Sequence, residues 1–353
     1  MKFQVLSIIG HAPHPLTGEL LSAADRLEEV LAVGEAAERL GFDAYALGER
    51  HAGAFLSSAP TVLLGALAAR TSRIRLLTGV TVVAILDPVR VAEDYATLDQ
   101  ISRGRVELVI GKGAEAGHFD LFGLDEERQW DLQREKYELL RRLWSEEGVD
   151  WEGEFRSPLK GVTTVPRPYA GVPRVWHGSA TSLNSPELAA RHGDPLFTAN
   201  AIQPREAYAK LIAHYREKFE EYGHDPAHAR VAAGSGGLLI ADTAEQAVSR
   251  YKELYEARVR QNFKPHLEGK AGYNTPFRTI EDAIADGPQL IGSPQQIIDK
   301  ILGWHRVYGH DLQSVTVDGF GLSTPEQIET LRRFAEEIAP VVRREAPSTL
   351  WEA

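Results

Sequence analysis

Short runs rich in Val, Ile and Leu recur along the whole chain, each closed by a turn and followed by a stretch with helical periodicity. Nothing else in the sequence constrains the fold as strongly. Strands that alternate with helices are joined by crossovers, so their sheet is parallel. The runs place eight strands, at 3–9, 43–48, 74–83, 105–111, 173–178, 195–199, 230–240 and 312–318. Such a series fits either a closed TIM-type (β/α)8 barrel or an open doubly wound sheet. The open sheet would carry Gly-x-Gly-x-x-Gly in its first turn, where this chain has Ile9-Gly10-His11-Ala12-Pro13-His14-Pro15. The expected fold class is therefore α/β, a (β/α)8 barrel.

Several helices announce their starts by a capping residue followed by proline: Asp87-Pro88, Ser185-Pro186, Ser293-Pro294 and Thr324-Pro325. Gln296 and Gln327 complete capping-box spacings in the last two. Segments 24–41 and 324–343 each put their apolar residues on one face, as outer-ring helices do. Two stretches break the repeat. Residues 149–172, between helix four and strand five, and 261–290, between helix seven and the Ser293 helix, are rich in Pro, Gly and aromatics and are expected as insertions that cover the site. Residues 1–353 are read as one domain carrying these two insertions, a length that barrels with insertions reach.

Composition narrows the function classes. Apolar residues make up 43% and charged residues 25%, a globular balance. The net charge of −11 argues against nucleic acid or an anionic membrane as main partner. Without any cysteine, disulfides, thiolate metal sites and a cysteine nucleophile are excluded. The first residues read as a strand rather than a leader, and no apolar stretch approaches the roughly 18 residues of a membrane span, so a cytoplasmic location is expected.

In a barrel the chemistry sits at the C-terminal strand ends. His11 follows strand one, Glu49, Arg50 and His51 follow strand two, Lys112 follows strand four, His177, Gly178 and Ser179 end strand five, and Asn200 follows strand six. The turn Gly111-Lys112-Gly113-Ala114 sets a cation between glycines that let a phosphate approach backbone N–H groups. Trp176-His177-Gly178-Ser179 leads through hydroxyl-rich residues to Ser185 at a helix start, a second anion cradle. Together they define a phosphate site beside a cofactor-sized cleft. Metal chemistry fits less well, since Glu49-x-His51 and His11-x-x-His14 lack a third ligand at any telling spacing. Gly234-Ser235-Gly236 is only a fragment of a nucleophile elbow and reads as a strand bend. His192, His214 and His228 are read as surface residues.

With these residues in place the chain resembles the bacterial-luciferase-like monooxygenases. The resemblance runs in order through Gly41-Phe42-Asp43-Ala44-Tyr45 and Gly48-Glu49-Arg50-His51, then Gly79-Val80-Thr81-Val82-Val83 with Asp87-Pro88, then Asp99-Gln100-Ile101-Ser102-Arg103-Gly104-Arg105 and Gly111-Lys112-Gly113. It continues through Gly178-Ser179, Ser185-Pro186, Ala189-Ala190-Arg191-His192-Gly193-Asp194 and Gly292-Ser293-Pro294. It implies flavin mononucleotide, or in one branch a deazaflavin, held at the barrel rim, with phosphate contacts at Lys112, Gly113, Ala114, Gly178, Ser179 and Ser185. Thr81 and Val82 fall where the family often has a cis peptide beneath the flavin ring.

The resemblance further implies a monooxygenase in which reduced FMN, supplied by a separate NAD(P)H-dependent reductase, and O2 oxidise a small hydrophobic substrate, in a homodimer. Luciferase carries two histidines after the glutamate, and Arg50 stands at the first of them, His51 at the second. A guanidinium stabilises an anion but takes no proton near neutral pH. Proton transfer then falls to His51, His11 or His177. A deazaflavin-dependent hydride transfer and a non-catalytic flavin-binding protein are the alternatives.

Overall fold

The computed structural model describes the chain except residues 52, 114–116, 201–202, 235, 263–276, 278, 319–320 and 353. Its strands are β1 (Lys2–Ser7), β2 (Ala44–Leu47), β3 (Arg75–Thr78), β4 (Val106–Ile110), β5 (Val149–Trp151), β6 (Leu159–Val162), β7 (Val175–Ser179), β8 (Leu196–Thr198), β9 (Val231–Ala233), β10 (Leu238–Ile240), β11 (Leu290–Gly292) and β12 (Leu312–Val315). The helices are α1 (Ala23–Arg39), α2 (Pro60–Arg70), α3 (Pro88–Ser102), α4 (Gly117–Leu121), α5 (Gln129–Ser145), α6 (Asn184–His192), α7 (Arg205–Glu221), α8 (Ala244–Asn262), α9 (Ile280–Ala285), α10 (Pro294–Tyr308), α11 (Thr324–Arg333) and α12 (Ala339–Glu345).

Eight strands close a parallel barrel in the order β1, β2, β3, β4, β7, β8, β9, β12. Alternation along each strand sends one set of side chains inward and the other against the helices. Ala46, Leu77, Val109, Trp176, Phe197, Ala232 and Leu312 fill the interior. Its N-terminal end is shut by Glu107, whose carboxylate accepts from Trp176 Nε1 at 2.8 Å, Arg174 at 3.1 Å, Arg75 at 3.2 Å and Trp351 Nε1 at 2.6 Å. The open end is thus the C-terminal one.

The strand expected over 230–240 splits in two: β9 stays in the barrel, while β10 leaves it and pairs in parallel with β11. The break falls at Gly234, where a Cβ would lie 2.2 Å from the Ala199 carbonyl oxygen. Residues 149–172 form the antiparallel pair β5–β6, and their tip is tied down by Glu135, which accepts from the Glu154 and Phe155 amides at 2.8 and 3.0 Å. Much of the 261–290 stretch lies outside the described residues.

Helix starts at Asp87 and Ser293 are as expected, the latter with its capping box. At the other two the start moves towards the N-terminus. α6 is capped at Leu183, which leaves Ser185 inside the first turn, and α11 is capped by Ser323 with Glu326. Gln327 instead donates to Leu322 O and to Glu29. The helix expected over 324–343 passes through a π-helical turn at Phe334–Ile338 just before Pro340, whose missing N–H cannot continue the α ladder.

His310, 1% exposed, precedes β12; burial pushes its imidazole down to about 3, and its Nε2 pairs with Gln313 Oε1 at 3.1 Å. His118 and His192 are pushed down to about 4, first by burial. His192 thus packs on the Tyr137 ring, centroids 5.4 Å apart, rather than at the surface. An unfolded chain takes up these protons near pH 6.5 and the folded one only well below it, so stability falls as pH drops from about 6.5 toward 4. At pH 5 each histidine is expected to cost on the order of 2 kcal/mol, read as a lower Tm than at pH 7, and His310→Gln should flatten that dependence. A Tm equal at pH 5 and 7 would contradict this.

Candidate functional site

After β2 the chain turns so that Glu49, 5% exposed, is gripped from two sides. Its Oε2 accepts from the Val82 amide at 2.9 Å, and its Oε1 lies 2.7 Å from His51 Nε2. A neutral His51 therefore donates through Nε2 and keeps Nδ1 as its acceptor. The His51 ring meets the edge of Phe122, centroids 4.9 Å apart, and the Arg50 guanidinium lies over Phe55, 5.1 Å from the ring centre.

Beyond β3 the cis peptide joins Gly79 to Val80, just before the Thr81–Val82 pair where the resemblance placed it. The Thr81 hydroxyl is turned into the protein, 2.8 Å from Thr78 Oγ1 and 2.5 Å from the Tyr95 hydroxyl. Its backbone is engaged as well, the N–H donating to Val109 O at 2.7 Å and the carbonyl accepting from the Val83 and Gly111 amides at 2.9 and 3.0 Å. Val80 lies over the glycines of the next two strand ends: a Cβ at Gly111 would sit 3.1 Å from it, and one at Gly178 would sit 2.8 Å from it. These glycines make room for the Val80 side chain.

Ile110 stands opposite His177 in the parallel register of β4 and β7, so Gly111-Lys112-Gly113 and Gly178-Ser179 come up side by side. Gly113 has φ +83° and no room for a side chain, since a Cβ would meet the His118 ring at 2.2 Å. His118 Nε2 in turn lies 3.1 Å from the Lys112 carbonyl. The Lys112 ammonium sits 5.9 Å above the Trp130 ring; burial lowers its pKa and Glu126 works in the opposite sense. Ser179 Oγ donates to Ser182 O at 2.7 Å, and Ser185 is 2% exposed. Ala114 lies outside the described residues.

Two of the expected histidines stand apart. His177 is fully buried and faces the helix layer, because its neighbours Trp176 and Gly178 take the inward positions of β7. Its Nε2 lies 3.1 Å from Asp194, which also accepts from Arg141 at 3.0 Å and from the Tyr137 hydroxyl. Burial opposes ionisation of Asp194, but these partners outweigh it and hold the carboxyl below its usual range. His11 Nε2 is engaged by Leu21 O at 2.8 Å. His118, by contrast, was not singled out in the sequence, yet it feels the charges of His51, Lys112 and Arg50 and links the two halves of the rim. Glu49 was only placed at the rim; its grip on His51 is visible in three dimensions alone.

A closed parallel barrel with its polar groups gathered at the C-terminal strand ends is the build of a TIM-barrel enzyme. The family model described as luciferase-like monooxygenase matches residues 1–311, and the chain belongs to that family. It is an oxidoreductase. It is similar to limonene 1,2-monooxygenase of Rhodococcus erythropolis, 26% identical over 89% of this chain and 81% of that one. It is equally similar to the oxygenase component of the flavin-dependent trigonelline monooxygenase of Acinetobacter baylyi, at 26% identity and 89% of each. The crystal structure of the monooxygenase RslO1 from Streptomyces bottropensis superposes with a TM-score of 0.82 at 28% identity, covering 97% of this chain and 99% of that one.

Proposed function

We propose that this enzyme is an FMN-dependent monooxygenase that oxidises a small, hydrophobic organic substrate with O2, its reduced flavin supplied by a separate NAD(P)H-dependent reductase. The observation that carries the reading is the pairing of the Gly111-Lys112-Gly113 and Gly178-Ser179 turns in adjacent register, next to a glutamate-held histidine. The donor set fits a ribityl phosphate. Lys112 supplies charge, Gly113 an open backbone and Ser185 a hydroxyl, Ser179 shapes its turn through Ser182 O, and Gly111 and Gly178 seat the Val80 side chain that forms the floor.

When bound, reduced FMN supplies the two electrons that split O2, one oxygen atom entering the substrate and the other leaving as water. The chain's own residues do the rest. Lys112, Gly113, Gly178, Ser179 and Ser185 hold the phosphate arm, Thr81 and Val82, both buried with their backbone groups paired, back the ring from below, and Arg50 stabilises negative charge. His51 moves the proton through Nδ1 while Glu49 fixes its tautomer. Burial in the helix layer removes His177 from this role, and the Leu21 contact leaves His11 behind His51. Phe55 and Phe122 beside Arg50 and His51 suit an apolar substrate. Val62 and Ile101, 70% and 56% exposed on the adjacent helices α2 and α3, favour a homodimer. Among the described residues no helix is long and apolar enough to cross a membrane, which is compatible with work in the cytoplasm.

Titration with FMN tests the reading: Lys112→Ala should weaken FMN binding roughly tenfold or more, the contribution of a charge-assisted contact. Unchanged affinity would remove the phosphate assignment. A wild-type chain that binds only the deazaflavin would replace the monooxygenase by a hydride-transfer enzyme, and FMN retention without any oxygen-linked turnover would leave a flavin-binding protein.

A further inference from the structure

Asn200 closes the rim between the phosphate turns and β9. It follows β8 by two residues, its backbone turns left-handed at φ +47°, and it is 2% exposed. Among the described residues, neither its Nδ2 nor its Oδ1 has a hydrogen-bond partner. Asparagine tolerates the left-handed turn, but a buried amide with both ends unpaired opposes folding, so the side chain is better explained by a ligand than by the fold. Most buried polar groups find partners, and an orphan at a barrel mouth points to one that arrives from outside.

The placement narrows the ligand group. Ser179 stands opposite Thr198 in the register of β7 and β8, and the Ala199 amide donates to Ser179 O at 2.9 Å. Asn200 therefore begins one residue beyond the contact that joins β8 to the phosphate turn. A phosphate dianion only accepts hydrogen bonds and would answer Nδ2 alone. A polyol both donates and accepts, and so answers both ends of the amide. We infer that Asn200 holds the ribityl chain of the flavin beside its phosphate, its Nδ2 donating to one hydroxyl and its Oδ1 accepting from another. The inference rests on the flavin reading above, and it applies equally to the deazaflavin, whose side chain is also a ribityl phosphate.

The test compares wild type, Asn200→Gly and Asn200→Asp by FMN titration and by thermal melting of the flavin-free protein. Glycine removes the amide and the left-handed cost together. It should weaken FMN binding about tenfold while the flavin-free Tm stays level or rises. Aspartate keeps the size, loses both N–H donors and adds charge near the phosphate arm, and should weaken FMN at least as much. FMN affinity within twofold of wild type in either variant overturns the inference, as does a weakened Asn200→Gly whose flavin-free Tm falls in parallel, the mark of a structural residue. A wild-type chain that binds no flavin at all would overturn the flavin reading itself, whereas wild-type binding with indifferent variants would overturn only the role of Asn200.

Discussion

Exchanging Glu49 for Gln is expected to lower turnover on an accepted organic substrate by about 10²- to 10⁴-fold, the usual worth of a positioned proton-transfer group. The carboxylate accepts at both oxygens, from the Val82 amide at 2.9 Å and from His51 Nε2 at 2.7 Å. A carboxamide matches its shape but has only one accepting atom. If that oxygen keeps the Val82 amide, the NH2 group faces His51 and donates to Nε2, which drives the ring proton to Nδ1 and removes the basic nitrogen from the mouth. FMN affinity should stay within a few-fold, because the phosphate turns are untouched. Equal loss of turnover and of flavin binding would mean that Glu49 shapes the mouth rather than the tautomer, and wild-type turnover would remove His51 from proton transfer.

Much of this fold was legible because its barrel strands are covered on both faces, by the interior and by helices, and so read as continuous apolar runs. All eight expected barrel positions are occupied. The split of 230–240 was marked only by Gly234-Ser235-Gly236, read as a strand bend, and a bend does not say that the chain changes partner. The site was harder, for reasons of parity. One residue decides whether a strand side chain meets the mouth or the helix layer, and His177 fell on the wrong side of Trp176 and Gly178. Thr81 is similar: its position is at the rim, but its hydroxyl belongs to Tyr95 and Thr78. The glycine turns were visible because their chemistry is backbone chemistry and needs no rotamer. His118 and Asn200 carry no local motif, and only packing reveals that one abuts Gly113 and the other lies unpaired.

Removing Arg26 is expected to cost about 3–5 kcal/mol of stability, the penalty for leaving buried partners of an ion pair uncompensated. Its guanidinium bridges Glu29 at 2.8 Å and Asp318 at 2.9 Å, and its Nε donates to Gly10 O at 3.1 Å, with the three charged side chains 6–8% exposed. Ser7 adds a hydrogen bond to Asp318, and Gln327 one to Glu29, so α1, α11 and the ends of β1 and β12 meet in one network. Arg26→Ala leaves two carboxylates facing each other out of water. In a chain of this length the loss should lower Tm by roughly 5 °C or more in calorimetry. Arg26→Lys keeps the charge but not the fork that reaches both carboxylates and the Gly10 carbonyl, so an intermediate loss is expected. A cost below about 1 kcal/mol for the alanine variant would show that solvent reaches the pair and that it behaves as a surface bridge. Because the Gly10 carbonyl leads directly into His11, the alanine variant should also loosen the first strand end. Faster amide exchange is expected at Gly10 and His11 than at Glu49 or Gly111, and uniform exchange around the rim would separate the network from the mouth.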